Sequence, residues 1–158
     1  MLVIGWVVFL VLLAQLFSVR EAARINPNQR IASSEVDGVR EIVLQRGRGG
    51  HYMLDAEVNG ETVTFLLDTG ASQLVFTVPQ AERIGLRAGA SYSVSTAAGT
   101  IRVRATEVAH LMMGNIELFD IPAAINPHMD GPALLGMSAL ANLEWTQIGD
   151  ELRVRQRL

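Results

Sequence analysis

Short runs in which apolar and polar residues alternate dominate the chain beyond its first fifty residues. From Tyr52 to Val58, apolar residues occupy every second position, which is the pattern of a strand with one buried face. Asn59-Gly60 follows, and this dipeptide is typical of a two-residue hairpin turn. The run Thr62–Leu67 then predicts the return strand, which ends at Asp68. A hairpin strand is a rigid element on which to hold a reactive side chain.

A second pair of alternating strands is predicted at Tyr92–Ser95 and Ile101–Ala105. The segment between them, Thr96–Thr100, carries no large side chain and includes one glycine. It predicts either an ordinary surface turn or a mobile flap that closes over a ligand and donates backbone hydrogen bonds to it. The pattern leaves both interpretations open.

The remaining elements after Val39 are also short. Two helices are predicted, Pro79–Ile84, capped by Thr77, and Met137–Leu143. Many short strands with closely spaced turns predict a compact, mainly β barrel. The further predicted strands are Val39–Leu44, Leu74–Phe76, Glu107–Leu111, Ile116–Phe119 and Pro122–Ile125, followed by a terminal hairpin of Leu143–Thr146 with Glu151–Val154.

An uncharged run, Leu2–Val19, precedes these elements. As a helix it would extend about 27 Å, close to the ~30 Å core of a bilayer, which predicts a transmembrane anchor over residues 2–19. A cleaved signal peptide is the alternative, although the run lacks a basic beginning and a clear small-residue cleavage site. Residues 20–38 are polar and predict a tether, and residues 39–158 are the predicted folded domain. We expect that domain to lie on the exported, periplasmic side, with the protein held as a single-pass membrane protein.

Composition and charge exclude several kinds of function. The chain of 158 residues has no cysteine, so disulfides and cysteine-based metal sites are excluded. Its three histidines lie far apart in sequence, so we expect no metal and no cofactor. From His51 onward, seven arginines stand against twelve acidic residues, a net charge of −5. A domain of that sign is a poor candidate for binding nucleic acid, which needs clustered positive charge.

The stretch Asp68-Thr69-Gly70-Ala71 is the candidate for chemistry. Asp68 ends an apolar strand, so its carboxylate is expected at the edge of the core. Gly70 lets the backbone turn sharply, with its N–H aimed back at that carboxylate. Because Asp, Thr and Gly are ordinary turn residues, a plain turn is the alternative.

Three features stand in the order found in retropepsin-like aspartic proteases, the single-domain relatives of pepsin. Asp68–Ala71 resembles their catalytic loop, and Thr96–Thr100 resembles their flap. Leu134-Leu135-Gly136 resembles the apolar-apolar-glycine element that precedes their C-terminal helix. The resemblance covers Val39–Arg155, and the N-terminal run is similar to that of the membrane-anchored bacterial members. It implies a mainly β, single-domain acid protease barrel with a flap hairpin and short helices, after an N-terminal transmembrane helix.

The resemblance also implies a role for each matching residue. Asp68 would be catalytic, but one chain offers one such carboxylate and the reaction needs two, so activity requires a homodimer acting on a polypeptide substrate. The apolar side chains Leu66, Val75, Ile101 and Leu134 are expected to form the pocket walls. The remaining implied residues are Thr69, Gly70 and Ala71 as support of the active-site loop; Thr96, Ala97, Ala98 and Gly99 in the flap; and Leu134, Leu135 and Gly136 in the second half of the fold.

Two other interpretations stay open at this point. One is a non-catalytic module of the same fold that dimerises or binds peptides while Asp68 stays idle. The other is a membrane-tethered β-domain of unrelated function, in which Asp68 begins an ordinary turn. An Asp68 placed away from any cleft would favour the second.

Overall fold

The computed structural model describes residues 2–96 and 99–158. The described helices are α1 (Leu2–Ile25), α2 (Val78–Arg83) and α3 (Met137–Leu140). The described strands are β1 (Ala32–Val36), β2 (Val39–Gln45), β3 (Met53–Val58), β4 (Glu61–Leu67), β5 (Leu74–Thr77), β6 (Ser91–Thr96), β7 (Gly99–Met113), β8 (Ile116–Asn126), β9 (Ala133–Leu135), β10 (Glu144–Ile148) and β11 (Glu151–Arg157).

Among these described strands, two sheets form. The larger one has the order β3-β4-β9-β5-β8-β7-β6, and β3 also pairs with β7, so that the sheet curls back on itself. The smaller one has the order β1-β2-β11-β10 and brings residues near both ends of the chain together. The prediction of a mainly β domain with short helices is therefore confirmed.

The turn of the first hairpin and the N-terminal cap of α2 form as the local sequence predicts. Asn59 and Gly60 adopt φ of 52° and 88°, the left-handed conformations that a tight hairpin turn requires. The resulting register buries Phe65, whose ring packs edge-on against Phe76 with 5.7 Å between centroids. At α2, the Thr77 hydroxyl accepts from the N–H of the third helical residue, which is the predicted N-cap.

Two pairs of predicted strands are continuous in the structure. Ile101–Ala105 and Glu107–Leu111 are both part of β7, and Ile116–Phe119 and Pro122–Ile125 are both part of β8. Long antiparallel pairing between β7 and β8 holds these strands together. Asp120, between the two predicted halves of β8, adopts a φ of 51° without ending the strand.

The predicted tether over residues 20–38 is instead ordered. Helix α1 continues to Ile25, where the Arg48 N–H donates to the Arg24 carbonyl oxygen at 2.8 Å, and β1 occupies Ala32–Val36. Between them lies buried Asn28, whose amide donates to the carbonyl oxygens of Gln45 at 2.9 Å and Met53 at 2.6 Å. This polar segment is ordered because the Asn28 side chain satisfies backbone groups of two strands.

The predicted anchor over residues 2–19 falls within α1. In the part of the chain that the structure describes, no helix meets the length and apolarity needed to cross a membrane. The transmembrane helix is thus not supported, and the predicted exported location stays a prediction.

Candidate active site

Strand pairing fixes Asp68 at the end of the central part of the larger sheet. Strand β9 lies between β4 and β5, parallel to β4, with Leu67 opposite Leu135. The Asp68 N–H extends this pairing by donating to the Leu135 carbonyl oxygen at 3.1 Å. The loop from Asp68 to Gln73 therefore crosses over the end of β9 and returns in β5. Sequence elements that are almost seventy residues apart meet here.

Gly136 packs directly against the underside of this loop. A Cβ on Gly136 would lie 2.2 Å from the Gln73 carbonyl oxygen and 2.6 Å from that of Ala71, so no other residue fits without movement of the backbone. The first residues of α3 add hydrogen bonds, since the Met137 N–H donates to the Ala71 carbonyl oxygen at 2.8 Å. The Ser138 N–H donates in the same way to the Ser72 carbonyl oxygen at 3.0 Å. The loop is thus held by the second half of the fold.

The Asp68 carboxylate is half-buried and has one backbone donor of its own loop. Its Oδ1 accepts the Gly70 N–H at 2.9 Å, as the turn chemistry predicts. A Cβ on Gly70 would lie 3.1 Å from that oxygen, so the loop leaves little space at this position. Thr69 and Gly70 are exposed in the single chain, and Ala71 is half-buried. Asp68 therefore presents an oriented carboxylate beside an uncovered loop.

Asp68 lies in a cleft of about 530 Å³. Three of the four residues predicted to form its walls, Val75, Ile101 and Leu134, line it among the described residues, whereas Leu66 is not among them. Among the described lining residues, Asp68 carries the single ionisable carboxylate, and the other polar groups are hydroxyls and amides. The remaining described lining residues are Gly70, Ala71, Ser72, Gln73, Tyr92, Val94, Ser95, Thr96, Val103, Ala124 and Asn126.

The predicted flap is the hairpin of β6 and β7. Thr96 pairs with Gly99, and the Thr96 hydroxyl donates to the Gly99 carbonyl oxygen at 2.8 Å. The predicted flap residues Ala97 and Ala98 lie outside the described residues. Of the flap residues named from sequence that the structure describes, Thr96 lines the cleft.

Sequence reasoning missed part of the cleft wall. Tyr92 and Val94 alternate along β6, opposite Val103 and Ile101 on β7, and all four line the cleft. Ile101 was predicted to line the cleft, whereas Tyr92, Val94 and Val103 were not. The alternation of the predicted hairpin contained the signal for these three, because alternate residues of a strand share one face. Nothing in the sequence pattern indicated Gln73, which lines the cleft because the loop from Asp68 passes over the end of β9.

Comparison with known proteins gives relatives for most of the chain. A family model described as "gag-polyprotein putative aspartyl protease" matches residues 54–142. An uncharacterized protein of Sinorhizobium sp is 34% identical over 145 residues, which is 88% of this chain and 62% of that protein. An uncharacterized protein of Rickettsia prowazekii is 38% identical over 47 residues, 30% of this chain and 20% of that protein. The chain thus spans less than two thirds of the length of these curated relatives.

A solved structure shares the fold. The crystal structure of a retropepsin-like aspartic protease from Rickettsia conorii matches with a TM-score of 0.63 at 24% identity, covering 78% of this chain and 94% of that one. The family model covers more than half of the chain, including the Asp68 loop and the Leu134-Leu135-Gly136 element. The resemblance to retropepsin-like aspartic proteases is confirmed, whereas the similarity to their membrane-anchored bacterial members is not shown. The chain belongs to the family described as "gag-polyprotein putative aspartyl protease".

Proposed function

We propose that this protein is an aspartic endopeptidase that hydrolyses polypeptides with a water molecule activated between two Asp68 carboxylates, one from each subunit of a homodimer. One observation carries the proposal. Asp68, oriented by the Gly70 N–H, is the single carboxylate among the described residues of an otherwise uncharged cleft. The family supports protease chemistry, and the single carboxylate supports assembly of the site from two chains.

The chemistry explains why one carboxylate is insufficient. Two carboxylates a few ångströms apart cannot both ionise, so the pair shares one proton. The ionised member removes a proton from water, and the resulting oxygen nucleophile attacks the peptide carbonyl carbon. The protonated member donates a hydrogen bond to the carbonyl oxygen as it becomes negative. Collapse of the tetrahedral intermediate breaks the C–N bond, and a proton passes to the leaving amine.

The surroundings of Asp68 suit a peptide in extended conformation. Apolar side chains such as Val75, Ile101 and Leu134 line the cleft, so it favours uncharged, hydrophobic residues beside the scissile bond. The β6–β7 hairpin contributes side chains to the lining of this cleft and offers backbone groups with which an extended chain can bond. In this proposal Thr69 and Gly70, exposed in the single chain, lie at the contact between subunits.

Cleavage of an unstructured protein by the full chain and by its Asp68→Asn variant tests the proposal. Asparagine keeps the size of the side chain but cannot exchange the proton, so the variant is expected to lose all measurable cleavage while folding normally. Specific activity of the unaltered chain should rise with protein concentration until dimers are saturated. Equal cleavage by the two proteins would overturn the assignment of Asp68. Concentration-independent specific activity from a chain that sediments as a monomer would overturn the dimer.

A further inference from the structure

Two side chains join the flap hairpin to the active-site loop. Tyr92 on β6 donates its phenolic hydroxyl to the side-chain oxygen Oε1 of Gln73, with 2.7 Å between the oxygens. Gln73 lies immediately before β5, nineteen residues away in sequence. Both side chains are half-buried and both line the cleft that contains Asp68. The hydrogen bond therefore links the β6–β7 hairpin to the active-site loop within the lining of the cleft.

The two partners are held to the protein in different ways. The backbone around Gln73 is fixed from below, because Gly136 packs against its carbonyl oxygen and the Leu74 N–H donates to the Ser138 hydroxyl at 3.0 Å. Tyr92 belongs to β6, which is the last strand of the larger sheet and is hydrogen-bonded along one side, to β7. An edge strand exchanges and opens more readily than strands with two neighbours. A link from β6 to Gln73 thus ties a less restrained strand to a rigid segment.

We propose that Tyr92 and Gln73 form a latch, a hydrogen bond that sets the distance between the β6–β7 hairpin and the loop Asp68–Gln73. The latch thereby sets the width of the cleft that receives the substrate. Tyr92 and Gln73 are both positioning residues, since the proposed reaction uses the two Asp68 carboxylates and water and assigns a proton transfer to neither residue. The latch rests on the proposed function for its effect on cleavage, but its effect on the hairpin is independent of catalysis.

The setting of the hydrogen bond explains why it restrains the hairpin. Val103 lies opposite Tyr92 on β7 and Val75 follows Gln73 by two residues, and both of these apolar side chains line the same cleft. Because both side chains are half-buried, their hydrogen bond replaces hydrogen bonds to water, and its net contribution is a modest stabilisation of the closed hairpin. Opening of the hairpin exposes both groups to water and loses this restraint. A substrate that packs against Tyr92 while the latch is closed is held; one that forces the pair apart is disfavoured.

The first experiment measures hydrogen exchange of the β6 amides, Ser91–Thr96, in the full-length Asp68→Asn background. Tyr92→Phe removes the hydroxyl and keeps the ring, and should speed exchange in β6 about 2- to 10-fold, the range expected for loss of one hydrogen bond. Gln73→Met should have the same effect, and the double variant should exchange no faster than either single one. Gln73→Glu retains an acceptor for the Tyr92 hydroxyl, so its β6 amides should exchange as slowly as those of the chain with Gln73. Tyr52→Phe is the matched control, because the Tyr52 hydroxyl accepts a hydrogen bond from Arg46 and neither residue belongs to β6.

The second experiment measures kinetics of the same substitutions with Asp68 intact. Tyr92→Phe should raise KM for an apolar peptide about 2- to 10-fold and leave kcat within about twofold, since the latch acts on fit rather than on the reacting atoms. Exchange in β6 that matches the Tyr52→Phe control would overturn the latch, whether or not the protein cleaves peptides. Faster exchange in a protein without peptidase activity would support the latch and overturn the proposed function instead.

Discussion

Gly136 lies beneath Gln73 so closely that a Cβ atom would come within 2.2 Å of the Gln73 carbonyl oxygen. This contact joins the end of β9 to the loop that carries Asp68, and it is backbone against backbone, so no side-chain rotation can relieve a clash. The glycine of Leu134-Leu135-Gly136 is thus needed to let the two halves of the fold approach.

Gly136→Ala should therefore lower the free energy of unfolding by about 3 kcal/mol, at the upper end of what overpacking usually costs, and should lower activity further because the Asp68 loop must shift. Urea unfolding measures the first effect and peptide cleavage the second. Gly149→Ala is the control: Gly149 has a φ of 61° but open space around it, so that variant carries backbone strain alone. A smaller loss in Gly136→Ala than in the control would contradict the contact.

Gly70→Ala should reduce activity with little change in stability. Its Cβ would lie 3.1 Å from the Asp68 Oδ1 on an exposed loop, so the carboxylate has to turn while the core stays packed. We expect kcat/KM to fall about 10- to 100-fold, the order seen when a reacting group is displaced by a fraction of an ångström to an ångström. Peptide cleavage and thermal unfolding measured on one preparation check both halves of this expectation. Unchanged kcat/KM would mean that the loop does not fix Asp68.

Asn28→Ala should destabilise the junction between α1 and the β-domain. The buried side chain donates to the carbonyl oxygens of Gln45 and Met53 and accepts the Gln45 N–H at 2.7 Å, so its loss leaves three backbone groups without a partner. The expected cost is about 2–4 kcal/mol in the free energy of unfolding. Asn142→Ala, at an exposed position, should change it by less than about 0.5 kcal/mol. Equal effects of the two substitutions in urea unfolding would show that residues 26–31 do not brace the fold.

An ion pair across the terminal hairpin predicts a small pH dependence of stability. Arg157 donates its Nε–H to the Glu144 carboxylate at 2.7 Å, and this hydrogen bond, with the nearby positive charge, lowers the pKa of Glu144 below its ordinary value. A carboxyl group with a lowered pKa in the folded state stabilises that state above the unfolded pKa and loses this contribution as pH falls through the folded pKa. Both side chains are exposed, so the effect is small and screened by salt.

Comparison of the original chain with Arg157→Gln measures this dependence. The difference between their melting temperatures should be greatest near neutral pH in low salt. It should vanish at pH values below the ordinary range of a glutamate pKa. A difference that is independent of pH would assign the effect of Arg157 to packing rather than to charge.

Features set by neighbouring residues could be predicted from the sequence, and features set by distant pairing could not. The Asn59-Gly60 turn, the Thr77 cap and the position of Asp68 at a strand end follow from local chemistry, and each is present. The insertion of β9 between β4 and β5 depends on contacts between segments almost seventy residues apart, for which periodicity carries no signal. The family resemblance named both segments but did not indicate that they pack against each other.

The N-terminal region and Gln73 illustrate two further reasons. Residues 20–38 have the polar composition of a linker, but Asn28 bonds to strand backbone and β1 pairs with β2, which composition does not reveal. Gln73 is one polar residue in a loop until the fold brings Tyr92 to it. Hydrogen bonds of side chains to distant partners thus account for much of what the pattern missed.

Mixing the unaltered chain with its Asp68→Asn variant tests the central claim most directly. The two proteins are mixed at a fixed total concentration at which the protein is dimeric, and they are left until subunits have exchanged between dimers. Peptide cleavage is then measured as a function of the fraction of unaltered chain. If each site needs an Asp68 from both subunits, activity should follow the square of that fraction and fall to about one quarter in an equal mixture. Activity proportional to the fraction, about one half in an equal mixture, would mean that each chain holds a complete site and would contradict the account.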